Sequence, residues 1–255
     1  MKKGFLLFLI GAVLTASLAG CSEQKSVSDN ESGISAPSEP ANNGSGDDNN
    51  KPSSLIFDFE DGDHGFVPIF SDYPDSEGVE EFYEMSHEHG EIPISGAGKG
   101  LFISGNNHSD DLFMGYFKEI DGLVAGQNYE FNIKFKIATN VPGGMFGVGG
   151  SPGESVYVKS GIAAVKPENS VDDTGHFRLN IDGGRQSQSG NDMSIVGTMA
   201  KQDEMNPDGY DFNVYELTAA ASANENGEVY LIIGTDSGFE STTAYYIDDV
   251  ELSWK

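Results

Sequence analysis

A chain of 255 residues with 41 acidic and 14 basic side chains carries a formal charge of −27. So few lysines and arginines assemble no positive footprint for nucleic acid, and the same field repels anionic polysaccharides and anionic lipid headgroups. The single cysteine, Cys21, rules out an intrachain disulfide, so order has to come from a packed core, with or without a bound metal.

In chain order, Lys2 and Lys3 precede the apolar run Gly4 to Leu14 and the ending Leu18-Ala19-Gly20-Cys21. This is the layout of a secretory signal peptide, with an apolar centre too short to cross a bilayer. The segment resembles the lipobox of bacterial lipoproteins. That resemblance implies removal of residues 1–20 and a lipid such as palmitate on Cys21. The protein would then be anchored to a cell membrane or outer membrane and face away from the cytoplasm. Loss of Lys2 and Lys3 from a chain of charge −27 leaves −29. Residues 21–54 follow as the lipidated cysteine and a Ser-, Asn-, Asp-, Gly- and Pro-containing spacer. It holds almost nothing to bury and is expected to stay disordered, reaching about 30 Å as a coil.

Residues 55–255 read as one domain of strands. Leu55 to Phe59 opens it, Leu112 to Lys118 follows, and Tyr129 to Ile137 alternates apolar with polar residues throughout. Val156 to Lys159, Phe177 to Asp182, Val229 to Ile233 and Tyr245 to Trp254 continue the theme, and Phe212 to Ala223 is favoured as a strand over a helix. Asp121-Gly122, Pro142-Gly143-Gly144, Pro207-Asp208-Gly209 and Asn226-Gly227 mark turns between them. Two antiparallel sheets packed face to face are the expected outcome.

The ends of this domain carry a second resemblance. Phe57-Asp58-Phe59-Glu60-Asp61-Gly62-Asp63-His64-Gly65-Phe66 opens it and Tyr246-Ile247-Asp248-Asp249-Val250-Glu251-Leu252 closes it, with Gly126-Gln127-Asn128-Tyr129-Glu130-Phe131 between. Together these resemble the jelly-roll carbohydrate-binding modules and their galactose-binding-like relatives. The resemblance implies an all-β jelly-roll sandwich with a structural calcium between the first and last strands. Carried over by position, Glu60 and Asp248 are its ligands, with help from Asp58, Asp61 or Asp63; oxygen donors of this kind suit calcium. It also implies a glycan site of aromatic rings beside polar groups, for which Tyr73, Phe82, Tyr83 and Tyr210 are the rings outside the clearest strands. Arg185 and Gln186 are the polar candidates, in the loop after Asp182.

Other constellations fail on chemistry. Gly149-Gly150-Ser151-Pro152-Gly153 matches a nucleophile elbow, but Pro152 lacks the N–H that the oxyanion hole needs, and a strand follows where a helix is required. His87-Glu88-His89 offers two imidazoles on one side of an extended segment, a metal site only if His64 or His108 folds near; otherwise it is a polar loop. A glycosidase pair cannot be picked from so many carboxylates without their separation. The reading is therefore a non-catalytic surface lipoprotein that binds a neutral glycan. A structural or protein-interaction domain is the alternative, and a polysaccharide lyase or glycosidase the third.

Overall fold

The computed structural model describes residues 53–255 apart from Asp110 and Glu204; the leader, the expected lipid site at Cys21 and the spacer through Pro52 lie outside that span. The strands are β1 (Ser53–Phe57), β2 (Val67–Ser71), β3 (Ser86–Glu91), β4 (Lys99–Asn106), β5 (Leu112–Ile120), β6 (Asn128–Thr139), β7 (Val156–Ala163), β8 (Asn169–Val171), β9 (Phe177–Leu179), β10 (Met193–Thr198), β11 (Asp211–Ser222), β12 (Val229–Ser237) and β13 (Thr242–Trp254). One four-residue helix, α1 (Val79–Phe82), interrupts them. The first sheet runs β11-β6-β13-β4-β3 with β1 added on β13, and the second runs β10-β7-β12-β5-β2. All pairings are antiparallel, and β8 and β9 form a separate ribbon. These are the face-to-face antiparallel sheets that the strands predict, in the all-β jelly-roll sandwich that the resemblance implies. No helix of the described residues is long and apolar enough to cross a membrane.

Alternation decides which face each strand buries. On β6, Phe131, Ile133, Phe135 and Ile137 point into the sandwich while Glu130, Asn132, Lys134 and Lys136 point outward. On β13, Tyr245 and Ile247 face inward, and so do Val250 and Leu252, although their parity is opposite. A register shift between Asp248 and Glu251 reconciles the two pairs, with Asp249 at a left-handed φ of 45°. This bulge lets one strand keep both halves of its apolar set in the core. Tyr245 is wholly buried yet satisfied, because its hydroxyl donates to the Met114 carbonyl at 2.8 Å.

The second sheet is covered on both faces. Every residue of β12 is buried, as expected of a strand with packing on either side. Val229, Leu231 and Ile233 join the inter-sheet core, while Tyr230 and Ile232 pack outward with Ile69, Phe113, Phe117, Ile181 and Met193. Residues 164–192 supply that outer cover. Gly161 permits the close approach, since a Cβ there would lie 1.9 Å from the Asp192 carbonyl oxygen.

Candidate functional site

At the margin of this cover, a recess of about 370 Å³ opens over the second sheet. Phe113, Ile181 and Met193 give it an apolar floor, and Asp72, Asp111, Arg178, Asp182, Arg185 and Asp236 supply its polar wall. Asp236 sits on β12 opposite Phe113 of β5 and Tyr157 of β7. Its carboxylate accepts from the Lys159 ammonium at 2.8 Å and from the Gln186 amide at 2.8 Å. The Lys159 side chain, 0% exposed, also donates to the Gly183 carbonyl at 2.8 Å. A buried ion pair survives only with its remaining hydrogen bonds filled, and these contacts fill them on the ammonium and on one carboxylate oxygen.

Arg178 of β9 bridges the opposite wall. Its guanidinium lies 2.5 Å from Asp72, 3.1 Å from Asp172 and 3.8 Å from Asp111. Burial pushes the Asp72 carboxyl above its ordinary range, against the pull of its Arg178 hydrogen bond. Burial also pushes Asp111 up to about 8, reinforced by the charges of Asp236 and Asp72. Asp172, by contrast, is held well below the usual carboxylate range by hydrogen bonds from the Thr174 hydroxyl and the His176 amide. The loop that carries Arg185 is tied by Asp182, whose carboxylate accepts from the Gly184 and Asn191 amides and from the Asn191 side chain. Gly184 takes φ 72°, and a Cβ there would lie 2.1 Å from the Gln188 carbonyl oxygen. The tight turn therefore requires glycine.

Of the expected ligand-binding residues, Arg185 alone reaches this recess, exposed at its rim. Tyr73 and Tyr83 are 6% and 2% exposed, a correction to their expected role as platforms. Their rings pack on each other at 6.0 Å, and Tyr73 meets Phe177 at 4.9 Å, in a small core with Val79 and Leu112. Little of either ring is left exposed for a sugar. Tyr210 is half-buried and packs edge-on against Tyr246 of the other sheet. Phe82 keeps an exposed face, with the His108 ring stacked on it at 4.2 Å.

The expected calcium ligands Asp58, Glu60 and Asp248 share a different recess with Asp249 and Lys136; Asp61 lies outside it. Asp248 is 4% exposed, and burial, helped by Asp249 and Glu60, pushes its carboxyl up to about 6. The oxygen donors fit a hard divalent cation in kind. Their spacing does not close a cage: among the described residues no three acidic or imidazole side chains converge, and Lys136 holds Asp249 at 2.5 Å. The imidazoles stay apart as well. His87 and His89 lie on β3 rather than in a loop, and His89 Nε2 sits 2.6 Å from the Phe59 carbonyl oxygen. His64 packs by Phe57 and Phe59, and His108 by Phe82. Ser151 donates to the Glu154 carboxylate within its own loop, and among the described residues no imidazole bonds to it.

No known family matches the chain, and no curated protein matches it. Solved structures that are similar include CBM27-1 of Caldicellulosiruptor saccharolyticus in complex with mannohexaose, at 13% identity and a TM-score of 0.39 over 78% of this chain and 96% of that one. The CBM22-1–GH10 modules of the Clostridium thermocellum endo-1,4-beta-D-xylanase 10B, complexed with xylohexaose, are 13% identical with a TM-score of 0.37. That match spans 78% of this chain and only 28% of the xylanase chain. A cyclase from Fischerella sp. TAU is 10% identical with a TM-score of 0.38, over 80% of this chain and 98% of its own. At such identities and scores the likeness assigns no residue a role.

Proposed function

We propose that this is a membrane-anchored surface lipoprotein whose sandwich is a non-catalytic module for a neutral glycan, and that the recess over the second sheet holds the ligand. One observation carries the reading: an apolar floor lies beside Asp72 paired with the Arg178 guanidinium and Asp236 paired with the Lys159 ammonium. Such a surface offers acceptors and donors for hydroxyl groups while giving little net attraction to an ionic ligand. The overall charge of −27 further disfavours an anionic polysaccharide. Lipid on Cys21 belongs to the same proposal, and so does a structural calcium at the Asp58, Glu60 and Asp248 recess, where backbone carbonyls would have to complete a donor set that the carboxylates alone do not close.

A glycan array probed with the mature chain, Cys21→Ser so that no lipid is added, tests it. Saturable binding to a defined neutral glycan is expected. Arg185→Ala should weaken that binding about tenfold, the loss of one good charge-assisted hydrogen bond. The same variant should melt with the parent, because Arg185 is exposed. Unchanged affinity in Arg185→Ala would remove the recess from the reading.

A protein partner is the second reading. It rests on Met145, Phe146 and Val148 at the β6–β7 loop, where Phe146 is 99% exposed.

A further inference from the structure

Asp111 and Asp236 pose a local problem that the glycan reading leaves open. Each keeps one buried oxygen, Oδ1, without a hydrogen-bond donor among the described residues. Buried acceptors without donors are costly, and two facing carboxylates are worse. The other charges around Asp111 do not solve it. Asp72 at the end of β2 is a third carboxylate, and Arg178 of β9 is 3.8 Å away on the Oδ2 side. Lys159 of β7 is spent on the opposite oxygen of Asp236, and Asp182 and Arg185 approach from the loop. Asp72, Asp111 and Asp236 face the buried Lys159 and the partly exposed Arg178, which Asp172 also engages, so negative charge is in excess. A proton between the two unpartnered oxygens relieves it, and among the described residues no group of three acidic or imidazole side chains is placed there to hold a cation instead.

We propose that Asp111 and Asp236 share a single proton at neutral pH, and that this acid pair latches the loop 182–192 over the recess, so that its loss opens the site and releases ligand. The regulatory half rests on the recess being the binding site; the latch itself does not. Through Asp236 the pair holds the Gln186 amide, and through Lys159 the Gly183 carbonyl, so it grips the loop at two points. Removing the proton sets the charges of Asp111, Asp236 and Asp72 against each other beneath that loop. The Asp111 carboxyl sits at about 8 instead of the 3.8 of an unfolded chain. Between those values the folded protein keeps a proton that the unfolded chain has released. The stabilisation is therefore complete below about pH 4 and is lost as pH rises through about 8.

Two measurements on the ligand-free, full-length protein test the latch. In a ¹³C titration of the aspartate carboxyl carbons, Asp111 should titrate near 8. Hydrogen-exchange protection factors, corrected for the intrinsic effect of pH, should fall on the order of tenfold for the Gly184, Gln186 and Gln188 amides between pH 7 and pH 9. Amides of β6 should not change. Asp111→Asn, which keeps a donor toward Asp236 and cannot ionise, should abolish the loss. An Asp111 carbon at its ionised position throughout, or loop protection indifferent to pH, overturns the latch; the titration needs no substitution and stands if the variant fails to fold. A glycan from the array that keeps its affinity at pH 9 while the loop opens overturns the gating alone. An array without a binder defeats the glycan reading and leaves the latch measurements intact.

Discussion

Lys159 and Asp236 show how much a single buried charge depends on its partner. Removing one side of such a pair costs about 3–5 kcal/mol, because the other charge stays buried and unpaired. Lys159→Met should therefore lower the unfolding free energy by about that amount in denaturant titrations. The double variant Lys159→Met with Asp236→Leu should recover much of it, since an apolar pair of similar volume carries no desolvation penalty. Equal losses in the single and double variants would mean the pair's worth lies in the loop contacts of Gln186 and Gly183. Both residues were legible in the sequence, had charge in apolar strands been taken as a signal. Lys159 follows Val156-Tyr157-Val158, and Asp236 ends the run from Val229. Asp111 offered no such cue, because it ends the polar stretch Asn106 to Asp111, and it meets Arg178 only through the fold. The tyrosine platforms failed for a related reason. A ring outside an alternating strand is free to fill space beneath a loop, and Tyr73 and Tyr83 do so under α1.

Among the elements, the strands with clean alternation or an unbroken apolar run were readable and those without either were not. β6 and β11 follow from their periodicity, and β12 from its continuous apolar run. β3, Ser86-His87-Glu88-His89-Gly90-Glu91, has little apolar content and pairs along one edge with β4. β2 contains Pro68, which argues against a central strand and is tolerated here because β2 is an edge. The bulge in β13 was invisible, since two inward sets of opposite parity look like an irregular strand until the partner register is known. Its importance can be measured. Deleting Asp249 forces either Val250 and Leu252 outward or the whole register to slip. At about 1.5–3 kcal/mol for each exposed side chain, roughly 3–6 kcal/mol of stability should go, seen as loss of a cooperative melt or a steep fall in Tm. A deletion that melts like the parent would show that the two halves of β13 re-register independently.

For the whole molecule, charge is the dominant global term. A net −27 favours solubility and opposes compaction, and acidic recesses are where a cation gives most. Calcium in hundredfold excess over its dissociation constant should stabilise the folded state by about 2.7 kcal/mol, or roughly 5–10 °C in Tm for a domain of this size. The comparison has to be made at constant ionic strength, because salt alone screens the self-repulsion. Equal Tm with calcium and with chelator would leave Asp248 a buried acid with no metal to hold. Fold class was legible from the two ends of the domain together with its alternating strands. The site was not, because its polar groups come from β2, β5, β7, β9, β12 and one loop.

The cover formed by residues 164–192 also bears on the shape of any glycan that enters. An open sheet lets a polymer lie across it and pass out at both sides. Here the segment that carries Leu179 and Ile181 packs on that face, and a recess of about 370 Å³ lies at its margin. On the proposed reading, a ligand seated there meets the covering segment on one side, so a chain end or a side branch should bind better than the middle of a long polymer.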